Sequence, residues 1–175
     1  MAKVSLNKLN LKMEKEVKTI DLGSAQVNVI QYLPQQEKAS FIEFVLNYCI
    51  DDNTGCSSPI REETYFMLAI IKYYTDINLT DKQIQDAPKT YDLLEVNGVF
   101  DTIVANIPEE EFQFIKSITT ESIVEIVQYN TSFMGIAMNF SKQSNMLDSQ
   151  VTDILEKIKN KEGLELLDGI KQIVG

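Results

Sequence analysis

A chain of 175 residues with 44% hydrophobic and 24% charged side chains has the apolar content of one folded domain, with room for a small appendage, and this argues against wholesale disorder. Its 4 prolines and 7 glycines are too few for the turns of a β-sandwich, so helices are expected to dominate. A net charge of −10, with Arg61 as the single arginine, opposes phosphate backbones and argues against sequence-specific nucleic-acid binding, while the lack of histidine removes the commonest general base, zinc ligand and pH switch.

The first 14 residues are polar, with Val4, Leu6, Leu9, Leu11 and Met13 among them. Leu9, Leu11 and Met13 alternate, as the contact face of an extended arm does on docking; residues 4–11 also fit a pair of weak helical turns. No apolar run follows Met1 in the manner of a signal peptide, and no stretch reaches the about 18–20 apolar residues that span a bilayer, so synthesis in a reducing cytoplasm and no membrane contact are expected. Residues 16–31 predict a β-hairpin. Val17, Ile20 and Leu22 are the apolar members of the first strand, Gly23 and Ser24 make the turn, and Val27 and Val29 share one face of the second. A two-stranded hairpin is marginal alone, so it must lie on the helical body or pair with another chain.

Pro34 stands where a helix begins, and Phe41, Ile42, Val45, Leu46 and Cys49 recur at helical spacing to about residue 48–51. Residues 52–59 read as a loop. A helix is expected from about Arg61, and its run over 65–74 is apolar nearly all round, as in a central helix. Thr80-Asp81-Lys82-Gln83 matches a capping box. A helix over 89–96 stops at Asn97-Gly98, a short one covers 99–106, and a long one begins after Pro108, with Thr119-Thr120 as a candidate interruption. Beyond residue 130 the pattern weakens. Residues 141–145 resemble a linker, and 147–158 and 164–174 predict two short helices. The expected architecture is mainly α: an extended N-terminal arm at 1–14, a compact helical domain at 15–140 carrying the N-terminal β-hairpin, and a C-terminal helical appendage at 141–175.

The residues that bear chemistry form no catalytic, metal or cofactor site. Asp51, Asn53 and Glu62 have EF-hand spacing, but Cys56 stands at the position that needs glycine. Glu109, Glu110 and Glu111 follow a proline at a helix start, where the helix dipole accounts for them. Ser57, Ser58 and Cys56 have no histidine to activate them, and Cys49 falls on an apolar helix face as a buried thiol. Of Tyr73 and Tyr74, one ring is expected to cap the core and one to reach water. Met134 and Met138, four apart, make either a core face or an adaptable binding stripe. The candidate partner-binding residues are thus Leu9, Leu11, Met13, Val27, Val29, Tyr73, Tyr74, Met134 and Met138.

Three segments carry a resemblance: VNVIQYLPQQEKASFIEFVL, TYFMLAIIKYYTDINLTDKQ and YDLLEVNGVFDTIVANIPEEEFQFI. Their shared pattern is a YLP-x-x-EK helix start, a YYT-x-I-x-x-T link and an IP-x-x-E helix start, over about residues 17–140. It resembles a family of small virion-associated proteins, structural modules of tailed phages and prophages of Gram-positive bacteria. The resemblance implies a non-enzymatic virion or assembly component, located in the virion, whose partners are other phage structural proteins or its own copies. The alternative is an acidic phage-encoded inhibitor or regulator of a basic host protein, and a third is a histidine-free enzyme using Asp, Glu or Lys.

Overall fold

The computed structural model describes residues 5–11 and 16–132 of the chain. The chain divides into two compact units, Met1–Val127 and Gln128–Gly175. Of the second unit only residues 128–132 are described, and the first four of these are the end of a helix. The helices expected over 147–158 and 164–174, together with Met134 and Met138, lie outside the described residues.

The first unit is mainly α, with a two-stranded antiparallel hairpin ahead of the helices. Strand β1 (Val17–Leu22) pairs with β2 (Ala25–Ile30), with Leu22 opposite Ala25 and Val17 opposite Ile30. Gly23 opens the two-residue loop at φ +62°, a sign that other residues rarely adopt, and a Cβ there would meet nothing within 4 Å. Backbone conformation rather than space therefore calls for glycine. Ahead of the hairpin the described part of the arm follows the weak helical turns expected over 4–11, at Leu6–Leu9, and not the extended strand its alternation also predicts. Leu6–Leu9 is a 3-10 turn, with Lys8 N–H donating to Ser5 C=O, and Asn10 is left-handed at φ +47°. Among the described residues of the arm no strand takes up the backbone bonds around Leu9 and Leu11, and local bonding takes over.

Helix α1 (Gln35–Cys49) starts directly after Pro34, whose carbonyl accepts from Lys38 N–H, and buries Phe41, Phe44, Val45 and Cys49. Helix α2 (Pro59–Tyr74) begins two residues before the sequence expectation. Ser58 is its cap, accepting from Arg61 N–H, and Pro59 takes the first helical position, where its missing N–H costs nothing. Its residues Phe66, Met67, Leu68, Ala69, Ile70 and Ile71 are all buried, so α2 is the central helix, as its all-round apolarity predicts. Phe41 packs edge-on against Phe66 at 5.5 Å and Tyr74 at 6.2 Å, locking α1 to α2.

The remaining helices close the core. Thr80 forms the capping box for α3 (Asp81–Gln85): its hydroxyl accepts from Gln83 N–H, and the Gln83 side chain accepts from Thr80 N–H. Helix α4 (Ala87–Val96) stops at Gly98, left-handed at φ +64°, and α5 (Val99–Val104) follows. Helix α6 (Glu109–Thr131) runs through Thr119-Thr120 without a break. Both threonine hydroxyls donate back to carbonyls one turn earlier, Ile115 and Lys116, and share those acceptors with the helix's own N–H groups without breaking it, and Thr119 is buried. Among the described residues no helix is long and apolar enough to cross a membrane.

Candidate functional site

Two arrangements stand out: a buried polar knot and an unpaired strand edge. The knot centres on Glu111. Its Oε1 accepts from Leu33 N–H at 3.0 Å and from the Tyr74 hydroxyl at 2.9 Å, and its Oε2 accepts from Lys38 Nζ at 2.8 Å. Lys38 and Glu111 are both buried. The Lys38 ammonium also lies 4.3 Å from the Tyr32 ring centre and 4.7 Å from that of Phe114, whose faces attract a cation. Burial drives the Tyr74 hydroxyl far above its ordinary pKa, and the Glu111 charge and hydrogen bond add to the shift. The carboxylate's oxygens are thus occupied by the fold's own donors. Glu111 is a latch and not an acid waiting for a substrate.

This corrects the reading of the three glutamates as dipole acids alone. Glu109 accepts from Gln113 on the surface and Glu110 is exposed, but Glu111 turns into the core. The three motifs of the resemblance converge here. Leu33 and Lys38 belong to YLP-x-x-EK, Tyr74 to YYT-x-I-x-x-T, and Glu111 to IP-x-x-E.

The second arrangement is the hairpin's outer rim. The bond from Gln31 N–H to Glu16 C=O makes that pair a hydrogen-bonded one. Alternation then makes 18/29, 20/27 and 22/25 the bonded pairs, and turns the backbone groups of Val17, Thr19 and Asp21 outward. On the opposite rim Asn28 is turned outward in the same way, and it is held. Its N–H donates to Asp76 Oδ1 at 3.0 Å and its side-chain amide to Asp76 Oδ2 at 2.8 Å, beside a bridge between Val29 and Thr75. One rim of the hairpin is therefore stitched to the end of α2. The β1 rim has no hydrogen-bonded neighbour among the described residues, and Val17 and Thr19 beside it are exposed.

Of the sequence-predicted contact residues, Leu9 and Leu11 are exposed at 53% and 73%. Val27, Val29 and Tyr74 require correction. All three are buried in the domain's own core, Val29 and Tyr74 completely, so they offer no surface to a partner. The hairpin's apolar face lies on the helical body. Tyr73 is half-buried against Phe41, so the two tyrosines divide as expected, with Tyr74 inside. Met13, Met134 and Met138 lie outside the described residues.

The loop between α1 and α2 is organised by its own bonds. Asp51 Oδ1 accepts from the amides of Asn53 and Thr54 and from the Thr54 hydroxyl, while Arg61 approaches Oδ2 at 3.7 Å. The bonds from Thr54 lead in holding the Asp51 carboxyl below its ordinary pKa. Ser57 donates to Glu62, so the two ends of the EF-like spacing are engaged by neighbours. No three His, Cys, Asp or Glu side chains gather as metal ligands among the described residues. Comparison with protein-family models, with curated proteins and with solved structures finds no match for the chain.

Proposed function

We propose that this protein is a non-enzymatic virion or assembly component of a tailed phage, acting through protein–protein contacts with other phage structural proteins or with its own copies. The observation that carries this reading is the outer rim of β1. A strand whose outward N–H and C=O groups have no partner among the described residues is a template for an added strand, and protein modules use such edges for docking. The exposed Leu9 and Leu11 just ahead of it add apolar contact area on the same segment of chain. The resemblance of residues 17–140 supplies the phage setting.

Mass spectrometry of purified virions tests the role. Peptides of this chain at structural copy number support it. Clean absence from particles, with salt-sensitive binding to a basic host protein, would favour the acidic inhibitor or regulator instead.

A further inference from the structure

We propose a second docking site: the groove over the N-terminal half of α2 receives a short basic segment of a partner protein, with apolar side chains set between its lysines and arginines. This goes beyond the strand-edge reading and does not depend on it.

Three adjoining cavities, of about 250, 340 and 370 Å³, open along α2 between α4, α5 and α6, and Glu63 lines all three. Pro59, Glu63 and Met67 succeed one another at four-residue spacing along the groove, so a continuous row of α2 forms part of its wall. Phe66 and Met67 are buried beneath the groove, its apolar surface comes from the half-buried Tyr91 and Phe112, and Ile60 stands 80% exposed at the α2 end. The rim is acidic. Glu62, Glu63, Asp92, Glu95 and Asp101 border the cavities against one cation, Lys116. Burial and then the charges of Glu95, Glu63 and Asp92 raise the Tyr91 hydroxyl.

The acids are strung along the groove and do not gather on a point as the ligands of a metal ion would; no such gathering occurs among the described residues. Spread negative charge over an apolar floor selects a ligand that is both cationic and apolar along its length. A second copy of this chain, at net charge −10, is a poor match.

The test uses the full chain and a 12-residue peptide of alternating lysine and leucine pairs, followed by fluorescence anisotropy. A peptide with serine in place of leucine keeps the charge and removes the anchors. Binding of the lysine–leucine peptide should be at least tenfold tighter than that of the serine peptide. The double variant Glu63→Lys with Glu95→Lys should weaken it at least tenfold. Asp21→Lys with Glu43→Lys makes the same change in net charge away from the groove and should weaken it less than threefold. All four side chains are exposed, so the variants should fold, and their melting curves show it. Equal binding of the two peptides, or equal loss in the two double variants, would mean general attraction to an acidic chain and overturn the proposal. A peptide that binds only as an oligomer of this chain dissociates would assign the groove to a second copy and overturn it as well.

Discussion

Glu111 and Lys38 stand 73 residues apart in the chain, and their side chains meet at 2.8 Å inside the core. The pair ties the first turn of α6 to the first turns of α1, and Tyr74 brings the end of α2 to the same carboxylate. Taking both charges out of water is costly, and their attraction recovers that cost only while both are present. The losses from removing each partner should therefore overlap and not add.

Glu111→Gln leaves the Lys38 ammonium buried without its counter-charge and should cost about 3–5 kcal/mol of stability. Lys38→Met should cost less than this, because Leu33 N–H and the Tyr74 hydroxyl still satisfy Glu111. The double variant should be more stable than the sum of the single losses predicts, by about 1–3 kcal/mol. Urea unfolding of the four proteins closes the cycle. Strict additivity would mean that Lys38 reaches water in the variant and that the pair is no latch.

The Glu111 latch shows where sequence reading runs out. What was legible was local. Gly23 marks a turn, Thr80 and Gln83 cap a helix, Gly98 ends one, and the apolar run from Phe66 to Ile71 marks a central helix, because each rests on residues within a turn or two of one another. Glu111 looked like its neighbours Glu109 and Glu110, since nothing within a few residues says which of three acids faces inward. Partners 78, 73 and 37 residues away decide that. Val27 and Val29 failed as contact residues for a related reason. Alternation shows that one face of a strand is apolar, but not whether the chain itself covers that face. The open rim of β1 is a property of register and of Asp76, and it leaves no mark in the composition of β1.

Cys49 should be inert and Cys56 reactive. Burial leads in pushing the Cys49 thiol up to about 11, with the Glu62 charge adding, whereas Cys56 is partly exposed. At pH 8 a thiol reagent should label Cys56 in the folded protein, and Cys49 only after unfolding. The folded pKa lies above the unfolded value of 9.0, so the folded state holds this proton more tightly. The stability this contributes is complete below pH 9 and is lost as pH rises through 11. Urea midpoints between pH 8 and 11 should fall along that window, and Cys49→Ala should flatten the fall. An unchanged slope in the variant would assign the loss to other groups, the buried Tyr74 hydroxyl first.

The N-terminal arm should contribute to assembly and not to folding. Leu9 and Leu11 are exposed, and the described part of the arm is one 3-10 turn. Deleting residues 1–14 should change stability by less than about 1 kcal/mol, since surface segments away from the core carry little of the fold's free energy. The same deletion should weaken association with the chain's partner, because apolar area buried only on docking stabilises only the complex. Chemical unfolding gives the first quantity and co-sedimentation with particles the second. A deletion that unfolds the domain would make the arm part of its core.

Proline substitution at adjacent positions of β1 separates the two rims of the hairpin. Lys18 lies in a hydrogen-bonded pair with Val29, so its N–H points into the ladder, and Lys18→Pro should lose that bond and leave a carbonyl unpaired. The loss should be about 1–3 kcal/mol. Thr19 faces outward with its N–H unpartnered among the described residues, so Thr19→Pro removes no backbone bond of the fold and loses only the exposed bond from the Thr19 hydroxyl to Asn28 Oδ1. Its stability should stay closer to that of the parent, with the residual cost set by fixing φ near −65° in a strand. For docking the order should reverse in kind. Thr19→Pro removes the donor at the middle of the free rim, and an added strand would lose a central bond there, so association should fall while the fold persists. Melting curves read the first comparison, and incorporation of the variant into particles reads the second. If Thr19→Pro unfolds the hairpin as Lys18→Pro does, the register runs the other way and the open rim is not where we place it. If it folds and still assembles fully, strand addition at β1 is not how this protein docks.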